Sequence, residues 1–254
     1  DEEKNISQKD REAVREAIDR GYLVTLATGR MYRSALSYAQ ELGIKLPLVT
    51  YNGALVKDPS TGKTLAHWPL ALETAKCIVG ELLDQDIYVQ AYVNDTLLVP
   101  ADCAKAQYYA KFSRVPFEVA GAGLRQLAEA PHKLLVIDDD PEPIRRHLVT
   151  VYGNAIKIVS SSKGFLEITD PETNKWRALQ FLMKRFEVTR EEILTVGDSD
   201  NDYEMVAHAG VGVAMGNAKE TIQKAARIIT ASNTQSGVSL ILRSVMTNQV
   251  DVPE

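Results

Sequence analysis

Along the first 56 residues of this chain, two patterns of apolar and polar positions alternate. One is typical of amphipathic helices and the other of buried strands. A helical stripe of apolar residues after Ser7 predicts a first helix, which Ser7 caps and Gly21 ends. The apolar stretch "YLVTLA" (22–27) follows directly and predicts a strand. A second amphipathic helix over 32–42 and the strand "PLVTY" (47–51) continue the alternation.

The same alternation resumes in the last third of the chain. The segment "WRALQFLMKRF" (176–186) has one apolar helical face, and the apolar strands "ILTVG" (193–197), "VGVAM" (211–215) and "RIIT" (227–230) alternate with further helices. Short, wholly apolar strands between helices indicate a parallel sheet that is covered on both faces. We therefore predict an α/β fold with a Rossmann-like, doubly wound sheet, whose ligands bind beyond the carboxyl ends of the strands.

The rhythm between these two parts is different. A hairpin is predicted around Pro59 and Gly62, and further strands alternate with helices near 72–84, 103–113 and 142–152. We interpret residues 57–169 as an α+β domain inserted into the first. The core domain is then discontinuous and consists of residues 1–56 and 170–254.

Composition and charge narrow the range of partners. A chain of 254 residues, 45% hydrophobic and 25% charged, can bury a sizeable core. The net charge is -5 and the basic residues are scattered, which argues against a nucleic acid or a membrane as partner. Cys77 and Cys103 lack metal-like spacing and favour a reducing, cytoplasmic compartment. The sequence does not fix an oligomeric state.

The most informative polar cluster is "GDSDND" (197–202), directly after a predicted strand. One interpretation is structural, because acidic residues commonly cap and begin helices. The other interpretation is that Asp198 helps to bind Mg²⁺. Asp202, one helical turn further on, would then bind a water molecule that is coordinated to the metal. Mg²⁺ suits a site with few carboxylates, because it keeps several waters and binds substrate phosphate oxygens.

Four further residues join this cluster as candidates. Thr28 and Gly29 in "ATGR" lie where a strand meets a helix, a place where a hydroxyl and backbone N–H groups can hold a phosphate. Asn52 in "YNGA" lies at a third strand end, although Asn-Gly is also an ordinary turn. Lys175 opens a helix, where the helix dipole disfavours a cation. Solvent exposure or a phosphate to neutralise would explain it.

In this order, "LATGR", "YNGA", "NK" at 174–175, "GDSDND" and "AMGNA" (214–218) resemble the motifs of the haloacid dehalogenase superfamily. Their spacing is similar to that of the Cof-like sugar phosphatases, over about residues 6–242 and including the insert. The resemblance implies an α+β cap that closes over the substrate.

The resemblance also implies roles for single residues. Thr28, with Gly29 and Asn52, resembles the group that binds the transferring phosphoryl. Lys175 resembles the cation that neutralises it and positions the nucleophile. On the acidic motif, Asp198 resembles the Mg²⁺ ligand, Asp202 its supporting carboxylate and Asn201 a phosphate contact.

The chain departs from this family pattern in two places. Trp176 stands where the family usually has Gly after the catalytic Lys. The family's first motif, a strand followed by Asp-x-Asp-Gly-Thr, should precede Ser7, where this chain has "DEEKNIS". We expect the motif to lie upstream of residue 1, because that strand would pair with both "YLVTLA" and "ILTVG", and its absence would leave buried backbone groups unpaired.

The sequence therefore predicts a Mg²⁺-dependent phosphatase of small phosphorylated metabolites, sugar phosphates above all, acting through an aspartyl-phosphate on that upstream Asp. One alternative is a nucleophile-free protein that senses phosphate and Mg²⁺, and another is a phosphomutase of the same superfamily. The intact mass of the natural protein discriminates between the enzyme and the sensor.

Overall fold

The fold is given by a computed structural model, which describes residues 5–160 and 163–249. Its helices are α1 (Gln8–Asp19), α2 (Tyr32–Leu42), α3 (Leu72–Asp84), α4 (Ala104–Ser113), α5 (Glu142–Tyr152), α6 (Lys175–Phe186), α7 (Tyr203–His208), α8 (Glu220–Ala225) and α9 (Gly237–Met246). Its strands are β1 (Leu48–Thr50), β2 (Leu55–Lys57), β3 (Thr64–His67), β4 (Val89–Val93), β5 (Thr96–Val99), β6 (Phe117–Val119), β7 (Lys133–Ile137), β8 (Lys157–Val159), β9 (Phe165–Thr169), β10 (Leu194–Gly197), β11 (Val211–Ala214) and β12 (Ile228–Ile229).

The C-terminal part contains a parallel sheet of order β10-β11-β12. Helices α6, α7 and α8 pack on it through buried residues such as Leu179, Val206 and Ile222. Helices α1 and α9 lie together, and Ser239 N–H donates to Asp10 Oδ1 at 2.8 Å. The predicted α/β class with parallel strands and covering helices is confirmed.

The N-terminal part carries an antiparallel sheet of order β1-β2-β3, which includes the predicted hairpin around Pro59 and Gly62. Ser7 caps α1 as predicted, accepting a hydrogen bond from Asp10 N–H at 3.1 Å. Gly21 follows the end of α1 with φ +91°, a conformation that favours glycine.

The strand predicted over 22–27 is wrong for most of its length. Only Ala27 forms a parallel bridge, to Val49, and two backbone hydrogen bonds flank it, from Thr28 N–H to Val49 and from Val49 N–H to Leu26. A segment joins a regular ladder only where its backbone meets a partner along several residues. Along 22–26 an apolar groove of about 1560 Å³ separates the chain from β10 instead. Its wall includes Leu26, Leu179, Leu194 and Val196.

The middle of the chain forms a mixed sheet of order β6-β5-β4-β7-β9-β8. One face is apolar and packs under α3 and α5, at the positions predicted for helices, through residues such as Ile78 and Leu148. The opposite face carries Gln90, Lys133 and Glu167, which are buried. The predicted strands of "IKIVSSSKGFLEI" are β8 and β9, and residues 161–162 between them lie outside the described residues.

The domain boundaries at residues 57 and 169 stay predictions. Both described cysteines, Cys77 and Cys103, are free thiols. Within the described ranges, every helix is too short or too polar to cross a bilayer.

Candidate active site

The acidic motif forms a tight turn at the carboxyl end of β10. Asp200–Asp202 is a short 3₁₀ segment, and Ser199 and Asp202 cap it reciprocally. The turn also needs Gly197, because a Cβ there would lie 2.5 Å from Asp202 Cβ. The local sequence therefore folds Asp202 back against the end of the strand.

Asp202 is buried and fully engaged. Its Oδ2 accepts the N–H groups of Asp198 and Ser199, both at 3.0 Å, and its Oδ1 accepts Lys175 Nζ at 2.5 Å. The side chains of Lys175 and Asp202 are each 6% exposed, so solvent screens this ion pair little. Lys175, the first residue of α6, is therefore a buried cation that neutralises negative charge of the acidic motif. It is not a solvated surface residue.

The other two carboxylates of the cluster face outward. Asp200 pairs with Lys219 at the surface. Asp198 is exposed, and among the residues that the structure describes no cation forms a salt bridge with it. Its contacts are Ser199 Oγ at 3.2 Å and Asn217 Nδ2 at 3.5 Å. Asp198 is thus the carboxylate of the motif that remains available to a ligand.

The donor set around Asp198 fits Mg²⁺ in a limited way. In the described part of the chain, no three His, Cys, Asp or Glu side chains lie together as a metal site. Asp202 uses both oxygens within the protein, so its geometry suits support of the turn better than direct metal binding. A cation that keeps several waters and takes phosphate oxygens can use one free carboxylate in this way, and Mg²⁺ has that preference.

The loop that contains Thr28 and Gly29, here called the Thr28 loop, lies beside Asn52. Asn52 in turn lies beside the acidic turn. Asn52 N–H donates to the Thr28 carbonyl at 3.0 Å, and Thr28 Oγ1 accepts Arg30 N–H at 3.2 Å. Gly29 leaves room for Asn52, because a Cβ on Gly29 would lie 2.6 Å from Asn52 Oδ1. Gly29 is therefore required for the close contact of this loop with Asn52.

The Asn-Gly dipeptide is more than an ordinary turn. Tyr51 and Asn52 have φ values of +52° and +60°, which are uncommon for residues with side chains. Gly53 has φ +102°, and a Cβ there would lie 2.1 Å from the Asn174 carbonyl oxygen. This strained turn packs directly against the start of α6, which carries Lys175.

Side-chain amides join these loops. Asn201 Nδ2 donates to Asn52 Oδ1 at 2.8 Å, and Asn52 Nδ2 donates to Glu167 Oε2 at 2.5 Å. The structure thus brings Thr28, Gly29, Asn52, Lys175 and the acidic turn to one edge of the molecule, as the site prediction requires. Their individual roles stay predictions, and the NH₂ groups of both asparagines are already used within the protein.

Sequence reasoning missed two site residues, Lys133 and Glu167. They form an ion pair of 3.0 Å with side chains only 2% and 7% exposed, and Lys133 Nζ also reaches the Gly29 carbonyl at 3.3 Å. Burial lowers the pKa of Lys133, but the Glu167 carboxylate and Tyr109 together outweigh burial and the net pKa is raised. The signal available was a single charged residue in each of two apolar strands, "KLLVI" and "FLEIT".

Trp176 does not disturb the start of α6. Asn174 caps the helix by accepting Arg177 N–H at 2.8 Å, and the Trp176 ring lies 6.0 Å from that of His208. Although Trp176 replaces the Gly that is usual in the family, Lys175 still lies at the start of a regular helix.

Fold and site together place a lysine, carboxylates and the Thr28 loop at one edge of an α/β fold. Comparison with known proteins agrees. A family model described as haloacid dehalogenase-like hydrolase matches residues 1–242. The chain is 31% identical over 95% of its length to the 5-amino-6-(5-phospho-D-ribitylamino)uracil phosphatase YitU of Bacillus subtilis, of which it covers 92%.

Two solved structures extend the likeness. A haloacid dehalogenase-like hydrolase from Bacteroides thetaiotaomicron superposes with a TM-score of 0.89 at 25% identity, covering 96% of this chain and 94% of that one. A protein from Thermotoga maritima gives a TM-score of 0.83 at 34% identity, with 94% and 90% covered. This chain belongs to the haloacid dehalogenase-like hydrolases, within their Cof-like branch, and is a phosphoric monoester hydrolase.

Proposed function

We propose that this enzyme is a Mg²⁺-dependent phosphatase of small phosphorylated metabolites, sugar or polyol phosphates above all. The observation that carries the proposal is the buried Lys175–Asp202 pair beside the free carboxylate of Asp198. Phosphoryl transfer depends on positioning and charge neutralisation, and this arrangement offers a fixed cation and a free metal ligand at one strand end. The substrate named for the Bacillus relative carries a phosphorylated ribityl chain, which supports a polyol phosphate here.

Each residue has a defined task in this proposal. Thr28 and the backbone of Gly29 bind the phosphoryl group, and Lys175 neutralises its charge while Asp202 holds the ammonium in place. Asp198 holds Mg²⁺, which when bound neutralises phosphate charge and orients the substrate. The nucleophile is an Asp on a strand upstream of residue 1, which forms the aspartyl-phosphate.

The apolar groove supports the upstream strand. It runs between residues 22–26 and β10, the two segments that such a strand would join, and its wall is mostly apolar, which suits a buried parallel strand. A strand seated there would carry its terminal residues toward Thr28 and Asp198 at the same sheet edge. The insert, residues 57–169, closes as a cap over the substrate. The two free cysteines favour a cytoplasmic enzyme.

The metal role of Asp198 is tested by Asp198→Asn in the full-length protein. We expect phosphate release from a sugar phosphate to fall by about 100-fold or more, because the neutral amide binds Mg²⁺ weakly. The measurement is inorganic phosphate release over a Mg²⁺ titration, with thermal unfolding to show that the fold is kept.

The matched control is Asp19→Asn, which removes an exposed carboxylate at the end of α1, away from the site. It should keep the activity and Mg²⁺ dependence of the parent enzyme. Unchanged Mg²⁺-dependent turnover in Asp198→Asn would contradict the proposed metal role.

A further inference from the structure

A buried ion pair of the insert reaches two loops of the candidate active site. Lys133 on β7 and Glu167 on β9 lie 3.0 Å apart, with side chains 2% and 7% exposed. Lys133 Nζ donates to the Gly29 carbonyl at 3.3 Å, and Glu167 Oε2 accepts Asn52 Nδ2 at 2.5 Å. The pair therefore joins the insert directly to both loops that are candidates for phosphate binding.

Stability alone does not account for this pair. Removing two charges from water is costly, and apolar side chains of similar volume are often at least as stabilising. The strands "KLLVI" and "FLEIT" are otherwise almost wholly apolar, so such side chains would fit their composition. Lys133 and Glu167 therefore call for a role other than stability.

The Glu167 carboxylate sets the direction of a chain of amide hydrogen bonds. An ionised carboxylate only accepts hydrogen bonds, and Lys133 favours the ionised form. Asn52 therefore turns its NH₂ group toward Glu167 and its oxygen toward Asn201, whose Nδ2 donates to that oxygen at 2.8 Å. A reversed Asn201 amide would place two carbonyl oxygens at this distance, where they repel each other. Glu167 thus fixes the orientation of Asn201 across Asn52.

The Asn201 amide lies beside the Thr28 loop. A Cβ on Gly29 would lie 3.5 Å from Asn201 Nδ2. Within the part of the chain that the structure describes, this nitrogen makes one hydrogen bond, to Asn52 Oδ1, so its second N–H is open to a ligand. A phosphate oxygen accepts from an N–H and is repelled by a carbonyl oxygen. The orientation of this amide therefore decides whether Asn201 attracts or repels a phosphate at the loop.

We propose that Glu167 is a positioning residue for phosphate binding. It acts from the insert through Asn52 and orients the Asn201 amide as a donor to a phosphate at the Thr28 loop, and Lys133 keeps Glu167 ionised. The inference rests on the proposed phosphatase function. It deepens that function by giving the insert a part in binding the phosphoryl group itself.

The test measures the Kd of inorganic phosphate for the full-length enzyme in Mg²⁺ buffer, by isothermal titration calorimetry. Lys133→Met with Glu167→Leu replaces the pair by apolar side chains, a change that folded proteins tolerate better than loss of one partner. Asn52 then loses its fixed acceptor, and both amides are free to reverse. We expect the Kd to rise roughly tenfold, the size of one lost hydrogen bond to a charged group.

The matched control is Lys133→Met with Glu167→Gln. It also removes both charges and the Lys133 contact with Gly29, but it keeps an acceptor oxygen for Asn52. The Kd should stay within about threefold of the parent value, because the amide chain can keep its direction.

A second control separates this chain from the contact between insert and core in general. Lys157 of the insert pairs with Glu204 of the core at 3.1 Å, with both side chains about one third exposed. Glu204→Gln weakens this contact and leaves the amide chain intact. It should keep the Kd of the parent enzyme, because partly exposed pairs contribute little.

A double-mutant cycle distinguishes positioning from general support. If Glu167 acts through Asn201, Lys133→Met with Glu167→Leu should change the Kd by less than about twofold when Asn201→Ala is already present. A purely structural role would give the same loss in both backgrounds. Thermal unfolding of each variant shows whether the fold is kept.

Asn52→Gly breaks the same chain without changing the ion pair, and Gly suits the φ of +60° at this position. It should raise the Kd by a similar factor, and again only while Asn201 is present. This variant tests the inference even where the double substitution at 133 and 167 does not fold.

Equal losses with Leu and with Gln at position 167, or losses that are independent of Asn201, would overturn the inference. An unchanged Kd after loss of the Glu167 carboxylate or after Asn52→Gly would do so as well. A parent enzyme that binds phosphate but hydrolyses no phosphomonoester would count against the proposed function instead, and the Kd values would still decide the role of Glu167. A parent enzyme that binds no phosphate would overturn both.

Discussion

At the scale of single residues, Lys175 combines a structural and a chemical task. Its ammonium is the partner of the buried Asp202. Lys175→Ala should lower turnover by about 100-fold or more, because a fixed cation at the reacting phosphoryl is lost. It should also lower the free energy of unfolding by about 3 to 5 kcal/mol, because Asp202 stays buried without its partner. Steady-state phosphate release and denaturant unfolding measure the two effects.

Lys175→Arg separates these two tasks. The guanidinium keeps a positive charge beside Asp202, so most of the stability should remain, but its planar shape does not replace a compact ammonium and turnover should stay low. Lys224→Ala is the control, since Lys224 forms an exposed pair with Glu220. Near-normal turnover in Lys175→Ala would return Lys175 to a purely structural role.

Site residues could be predicted where their functional side chains are adjacent in the sequence. The motif "GDSDND" places carboxylates and an amide together, and the structure shows them in one turn with Lys175. Glu167 and Lys133 could not be found in this way. They lie on separate strands, β9 and β7, and meet only when those strands pair and their shared face covers the Thr28 loop.

At the scale of elements, the turn Tyr51–Gly53 sets the position of α6. Gly53 combines φ +102° with a contact in which an added Cβ would lie 2.1 Å from the Asn174 carbonyl oxygen. Gly53→Ala should therefore lower the free energy of unfolding by more than about 3 kcal/mol, since the backbone at the start of α6 must shift. Chemical denaturation measures this change.

Gly62→Ala is the matched control for that experiment. Gly62 also has positive φ, +69°, but an added Cβ there meets no atom within 4 Å. Its substitution should cost about 1 kcal/mol, the price of the left-handed conformation alone. If both variants lose the same free energy of unfolding, the close contact between the turn and α6 does not add to the stability of the protein.

Helices were easier to predict than strands, for a physical reason. The helices predicted near 72–84, 103–113 and 142–152 correspond to α3, α4 and α5, because a helix closes its hydrogen bonds within one segment. A strand depends on its neighbours. The apolar pattern of 22–27 is typical of a buried strand, yet only its end pairs, with Val49, because the groove lies on its other side.

At the scale of the whole molecule, two histidines of the insert meet where it contacts the core residue Tyr51. His67 ends β3 and His132 precedes β7, and His132 Nδ1 lies 2.8 Å from His67 Nε2. The His132 ring also stacks on Tyr51, with centroids 4.4 Å apart, and its Nε2 accepts Asp95 N–H at 3.4 Å. The tautomer with a proton on His132 Nδ1 satisfies both contacts, so this junction is built for neutral imidazoles.

This junction should make the stability of the protein depend on pH. Burial, followed by the charges of His67 and Lys57, lowers the pKa of His132 from 6.5 to about 3. Burial also lowers the pKa of His67, although Glu129 acts in the opposite direction. Because the unfolded chain binds protons that the folded chain excludes, the stability from His132 is present above pH 6.5 and is lost as the pH falls from 6.5 toward 3.

The expected slope from His132 is up to about 1.4 kcal/mol per pH unit within that window. His132→Asn keeps a polar side chain and His132→Phe keeps the stacked ring, and both remove the titrating group. Each variant should lose some stability at pH 7.5 and show a shallower decline on acidification than the parent protein. Urea unfolding at half-unit steps from pH 7.5 to pH 4 measures the difference. If both variants decline as steeply as the parent, other groups carry the acid sensitivity and the histidine junction does not couple protonation to the contact between insert and core.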